Sequence, residues 1–339
     1  KFVLKFSDKI SDNHYHIEDV NIEKARERYR NFIKKILQKI LNTTPLSAVI
    51  SFNFRYHSER EVHKACKEIN LKFIVCQKES LIIEGEKEFY KKLNSSNGKF
   101  QGHFMTVYTD YFKKLIVDSE ICEEKNVFVI GMPRADFYFK NKEKKNNHIL
   151  FLIPTVRQPY GYNKSEDLFN VDTLTTEVTK TLIDFAKLNS EQEIIFKSKI
   201  YLKNERKQED IISKANLKNC IFLKGGDSRN LIKDAKIVIG FNSTGLIESL
   251  LVNKHVILPY FDIKDHESYK KYTLNLKNFV HYAYSKNEMI EYLNKICSNQ
   301  LTSKSINNKE INEAIKFYIG NVDGESSLRL KNVLNDILK

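Results

Sequence analysis

Residues 238–262 read VIGFNSTGLIESLLVNKHVILPYFD, and this stretch decides the fold class. Val238-Ile239-Gly240 closes an apolar run of strand character. Asn242-Ser243-Thr244-Gly245 is small and polar, and an apolar helical pattern follows through about residue 252. His255 to Pro259 is apolar again. Strand, tight turn, helix and strand make a parallel β–α–β unit. Ser243 and Thr244 can cap the helix. Its first N–H groups then point outward, and the macrodipole favours an anion there. A phosphate or diphosphate fits such a site, and Glu248, one turn in, stands within reach of a ribose hydroxyl. The same residues also serve an ordinary helix cap, so the reading needs support from elsewhere in the chain.

Outward from this unit the alternation continues. Strands are expected at 149–153, 193–197, 220–223, 236–240 and 255–259, with helices at 174–188, 206–214, 228–234 and 244–252. This is a doubly wound domain. Upstream, Ala48 to Asn53 and Lys72 to Gln77 read as strands flanking a helix that Ser58 would cap, with Glu61 three residues on. Residues 104–118 read as helical and Val127 to Gly131 as a further strand. The polar stretch 138–148 (YFKNKEKKNNH) is the expected boundary. The chain then divides into 1–143, an acceptor-side Rossmann-like domain; 144–305, a nucleotide-binding Rossmann-like domain; and 306–339, terminal helices packing back towards the first. The fold class is α/β, with two doubly wound domains facing a cleft. Ligands in such sheets sit beyond the carboxyl ends of the strands.

Composition narrows the function. The chain has 339 residues, 41% hydrophobic and 29% charged, with formal net charge +13. That charge suits anionic partners, although lysine is abundant throughout the chain. No helix-turn-helix, zinc-finger or RNP-type motif accompanies it, so nucleic acid is not an expected partner. Five cysteines without a C-x-x-C pair read as free thiols rather than a disulfide or zinc framework. No apolar run has the ~18–20 residues of a membrane span, and no signal peptide is evident. A cytoplasmic protein is expected, with peripheral contact at the inner face of the membrane as a further expectation. Residues 21–41 form a basic helix. It reads as a surface helix on the first domain, with an interfacial role as the other reading.

Three segments together resemble GT-B transferases of bacterial surface polysaccharides, related to the CDP-glycerol glycerophosphotransferase family. Asn126 to Asp136 (NVFVIGMPRAD) is similar to the family's V-x-x-x-G-x-P-R-x-D. Ile149 to Arg157 (ILFLIPTVR) is similar to its I-L-Y-A-P-T-x-R. Gly240 to Thr244, followed by Asn253 to Tyr260, is similar to its D-Y-S-S turn and G/N-K-P-V/I-I segment. Phe241-Asn242 stands for Asp-Tyr and His255 for proline. The family's K-x-H-P is replaced by Lys197-Ser198-Lys199-Ile200, so its phosphate-contacting His is missing. Tyr56, Glu59 and Gln77-Lys78-Glu79-Ser80 look closer to less characterised transferases, including those using CMP-activated nonulosonic or octulosonic acids.

The resemblance implies a glycosyltransferase with a nucleotide-activated sugar as substrate, no cofactor and no metal, and a glycan or lipid-linked acceptor. A polyol-phosphate transferase, or a UDP-sugar 2-epimerase-like enzyme on the same fold, are the alternatives. Expected donor-binding residues are Asn242, Ser243, Thr244, Gly245, Glu248, Thr155, Arg157, Lys197, Lys199, Gly225 and Gly226. Gly225-Gly226 offers close backbone approach or simply a tight turn that Asp227 or Ser228 caps. Acceptor deprotonation needs a base. Glu79 and His57, just past predicted strands, are the leading candidates; Asp136 and His103 are further ones. Asp136 reads equally as a cap at the domain junction, paired with Arg134. The segment Gly320 to Ser327 (GNVDGESS) is expected to cap the last helix.

Overall fold

A computed structural model of the chain describes residues 20–78, 81, 83, 87, 90–91, 99–140, 147–154, 170–199, 203–261, 270–271, 273–303 and 309–339. The chain divides into two compact units. The first comprises Lys1–Ile82, Lys87–Asp136 and Phe317–Lys339, and the second Ile83–Glu86 and Phe137–Lys316.

In the first unit, helix α1 (Val20–Leu41) precedes β1 (Ala48–Ser51), α2 (His57–Glu68), β2 (Lys72–Cys76), β3 (Phe104–Val107), α3 (Asp110–Asp118) and β4 (Val127–Val129). The strands form one parallel sheet in the order β1-β2-β3-β4. Helix α1 buries Ile22, Ala25, Tyr29 and Leu37, and Arg30 and Lys34 pair with Glu61 and Glu68 of α2. Phe73, Val75, Met105, Phe112 and Val127 lie in the core between the sheet and its helices.

Two local expectations are corrected in this unit. Residues 104–118 are not one helix. Phe104 to Val107 pairs with β2 and β4, and Thr109 then caps α3 by accepting from the Phe112 N–H at 3.1 Å. The apolar strand runs into an apolar helix, and only Thr109 marks the joint. Helix α2 starts at His57 with Tyr56 as its N-cap residue, two residues before the expected Ser58 cap. Asn53 Oδ1, which accepts from the N–H groups of Arg55 and Tyr56, shapes that approach.

Helix α4 (Asp136–Lys140) leads into the second unit. There follow β5 (Ile149–Leu152), α5 (Val171–Leu188), β6 (Ile194–Ser198), α6 (Lys203–Ala215), β7 (Cys220–Lys224), α7 (Arg229–Asp234), β8 (Ile237–Gly240), α8 (Thr244–Leu251), β9 (His255–Pro259), β10 (His281–Ala283) and α9 (Lys286–Cys297). Helices α10 (Lys309–Ile319) and α11 (Ser326–Leu338) complete the chain. The sheet is parallel throughout, in the order β10-β9-β8-β5-β6-β7. Strands β5, β8 and β9 are buried at every residue, as expected for strands covered on both faces. Strand β10 has no counterpart in the sequence reading, because His281-Tyr282-Ala283 is too short and too polar to stand out.

The last helix returns to the first unit. Its cap is not the Gly320 to Ser327 segment but Asp136, 190 residues upstream. The buried carboxylate accepts from Ser326 N–H at 3.1 Å and Ser327 N–H at 2.6 Å. Asp323 instead pairs with Arg329, whose Nε donates to the Ile130 carbonyl.

Candidate functional site

Counted from β5, the second sheet has the strand order 3-2-1-4-5-6 of a dinucleotide-binding domain. The order reverses between β5 and β8, and the crevice at the carboxyl ends of those strands is where such sheets bind ligands. Leu152 and Gly240 are register partners there. The chain leaves β8 through Phe241 and Asn242 and enters α8 at Thr244.

The start of α8 is built by three side-chain choices. Ser243 is the N-cap, with φ −123° and ψ 139°, and its Oγ accepts from the Gly245 N–H at 3.2 Å. Gly245 is small because a Cβ there would lie 2.5 Å from Leu152 Cδ1 and 3.3 Å from Ile232 Cδ1. Its absence lets the first turn of α8 lie against the end of β5. Asn242 Oδ1 accepts from the Leu274 N–H at 3.0 Å, which ties the segment after β9 to the β8 turn. The first turn of any helix leaves N–H groups without a full intrahelical partner; here the Ser243 side chain accepts from Gly245 N–H and the Ser243 carbonyl from Leu246 N–H at 3.0 Å. Thr244 is partly exposed at this helix start.

Glu248 is buried, at 1% exposure. Its Oε2 accepts from the Tyr138 hydroxyl at 2.5 Å. Tyr138 belongs to α4, whose Phe137 ring lies beneath the Arg229 guanidinium at 4.8 Å and the Lys233 ammonium at 5.6 Å. Helix α4 therefore docks on both α7 and α8. Tyr138 was missed in the sequence. It stands 110 residues from its partner, and only its place two residues after the Pro133 to Asp136 motif hinted at it.

Strands β6 and β7 bring further expected residues to the same end of the sheet. Lys197 is buried and donates to the Ser198 carbonyl at 3.1 Å and the Gly225 carbonyl at 2.5 Å. Its ammonium thus braces the turn after β7. Lys199 is exposed. Gly225 and Gly226 both have left-handed backbone, with φ of 66° and 76°. A Cβ on Gly226 would meet nothing within 4 Å, so backbone conformation, not crowding, explains that glycine. Asp227, not Ser228, caps α7, accepting from the Arg229 N–H at 3.0 Å and pairing with its guanidinium. The glycine turn lies three strands from β8, about 14 Å at ~4.8 Å per strand. One phosphate cannot contact both it and α8.

Among the acid–base candidates, His57 opens α2 on the carboxyl side of β1. Glu79, Thr155 and Arg157 lie outside the described residues. Asp136 is occupied by the N-terminus of α11. His103 is corrected as a candidate: it precedes β3, at the opposite end of the sheet, and its Nδ1 accepts from the Phe73 N–H at 3.1 Å. Burial and the nearby Lys67 and Lys72 lower its pKa. The five cysteines are free thiols, and burial pushes Cys66 up to about 12. Among the described residues no group of three or more His, Cys, Asp or Glu could hold a metal, and no helix is long and apolar enough to cross a membrane.

Two parallel α/β units, one with this switch point, define a GT-B-type fold. No protein-family model and no curated protein matches the sequence. Solved structures do match. The UDP-GlcNAc 2-epimerase of Neisseria meningitidis, solved with UDP-GlcNAc, has a TM-score of 0.52 and 13% identity over 92% of this chain and 82% of that one. The wall teichoic acid polymerase TagF, soaked with CDPG, has a TM-score of 0.54 and 12% identity over 80% of this chain and 68% of its own. A UDP glycosyltransferase of Arabidopsis thaliana, solved with UDP, has a TM-score of 0.51 and 10% identity over 96% and 81%. At these identities the likeness is one of fold.

Proposed function

We propose that the chain is a glycosyltransferase that uses a nucleotide-activated sugar, CMP- or CDP-linked, to build a bacterial surface or capsular polysaccharide without a metal ion. The observation that carries this reading is the Ser243-capped start of α8 at the switch point of a 3-2-1-4-5-6 sheet. A donor phosphate would sit on the N–H groups of the first turn, with the Thr244 hydroxyl beside it and Glu248 assigned to the ribose. Lys199 and the exposed backbone of Gly226 would face more distant parts of the donor, and Thr155 and Arg157 are assigned to donor binding from the sequence alone. Lys197 would act indirectly, by holding the Gly225 carbonyl.

Leaving-group charge would be balanced by helix dipole and basic side chains. The net charge of +13 suits an anionic donor and a glycan or lipid-linked acceptor at the inner membrane face. Glu79 and His57, each following a strand of the first unit, are the proposed bases. Solved relatives in fold include a polymerase that was soaked with CDPG and an epimerase that was solved with UDP-GlcNAc. A polyol-phosphate transferase and a 2-epimerase-like enzyme are therefore the competing readings.

Thermal-shift measurements with CMP, CDP, UDP and GDP test the shared step. Stabilisation by at least one is expected, and none with all four overturns the nucleotide reading. Product analysis with the matching sugar donor, with and without acceptor glycan, then separates transfer from epimerisation.

A further inference from the structure

The Tyr138–Glu248 pair has a consequence for ligand entry. We infer that the Tyr138 hydroxyl is a latch on Glu248: it occupies the carboxylate in the free protein and is displaced when a ribose hydroxyl takes its place. The inference rests on the reading that α8 holds the donor nucleotide. Glu248 is 1% exposed and Tyr138 8%, so the carboxylate is closed to solvent while the phenol is bonded to it. The bond is short, 2.5 Å, as expected of a hydroxyl donating to a carboxylate. A ribose hydroxyl is the same donor type, and exchanging one O–H for another keeps the carboxylate hydrogen-bonded throughout. Tyr138 is carried on the five-residue helix α4, held on the same side by Phe137 against Arg229 and Lys233. With the helix anchored by Asp136 and Phe137, release of the latch needs displacement of the Tyr138 side chain rather than of the sheet.

A latch and a structural prop differ in sign. Removing the phenol oxygen takes a hydrogen bond from the free state that the bound state has already given up. Tyr138→Phe is then expected to bind a ribonucleotide more tightly, by about tenfold (~1.4 kcal/mol). Titration calorimetry with CMP and CDP, and with their 2′,3′-dideoxy forms, reads this out. The gain is expected for the ribonucleotide and absent for the dideoxy form. Unchanged or weaker ribonucleotide binding by Tyr138→Phe, or an equal gain for both forms, overturns the latch and leaves the α8 phosphate site standing. No binding of CMP, CDP, UDP or GDP to the unaltered protein overturns the donor-site reading itself, and the latch with it.

A second measurement is independent of how well the variant folds. With 3-fluorotyrosine at position 138 of the full chain, the fluorine resonance is expected to move on saturation with the ribonucleotide and not with its dideoxy form. A resonance that stays in place, or moves equally with both, overturns the latch.

Discussion

Asp136→Ala should loosen the end of the chain from the first unit. The Asp136 carboxylate is 4% exposed and accepts from two N–H groups at the start of the thirteen-residue α11. Ser326, one of the donors, is 1% exposed. Losing an N-cap acceptor costs ~1–2 kcal/mol. Here the acceptor is charged and sits at the positive end of a helix dipole, which adds ~0.5–1 kcal/mol. A buried N–H left without an acceptor adds ~1–3 kcal/mol. These contributions overlap, and about 3 kcal/mol is the expected total. Asp136→Asn keeps one acceptor oxygen and should lose about half of that. Hydrogen exchange of the α11 amides is the suitable assay, because it reports local opening of this helix without assuming that two units unfold together. Exchange at Leu330 to Ile337 should speed up by about 100-fold in Asp136→Ala, while β5 and β8 stay protected. Protection of α11 within a factor of three of the unaltered protein would refute the capping account.

Acid should destabilise the first unit through His63. Burial, first, and then Lys64 and Arg60 lower its pKa from 6.5 to about 3, against an opposing hydrogen bond to the Phe54 backbone. The folded state holds the ring neutral, so its stability is complete above pH 6.5 and is lost as pH falls towards 3. At ~1.4 kcal/mol per pH unit the whole interval is worth about 5 kcal/mol. Urea unfolding at pH 7 and pH 5 should differ by about 2 kcal/mol more for the unaltered chain than for His63→Gln; equal pH dependence would contradict this. Gly320→Ala should cost more than 2 kcal/mol. Its φ is +78° and the new Cβ would lie 2.3 Å from the Tyr108 carbonyl oxygen, a backbone atom that cannot turn aside. A melting temperature within 2 °C of the unaltered protein would show that the backbone yields.

What the sequence disclosed follows from how local each feature is. The second unit was legible because its strands are short apolar runs and a turn carries its own chemistry, as with Ser243 ahead of α8; the Asn170 cap, whose Oδ1 accepts from Asp172 and Thr173, went unread and the helix was expected three residues late. Phe104 to Val107 hid because a buried strand and a following amphipathic helix share the same apolar residues. Long-range pairs had no local sign. Tyr138 and Glu248 meet across 110 residues, and Asp136 and Ser326 across 190. Lys197 is expected at the donor, yet nothing in Lys197-Ser198-Lys199 tells that its ammonium turns to the Gly225 carbonyl. The α8 start is the part of the candidate site that sequence and structure describe alike.

That helix start also carries the central claim, and titration calorimetry with CMP and CDP tests it most directly. The unaltered chain should bind at least one of them. Ser243→Leu/Thr244→Leu should weaken that binding by at least 100-fold, with the circular dichroism spectrum of the fold retained. Binding of either nucleotide with equal affinity by the folded double variant would contradict the placement of the phosphate site on α8.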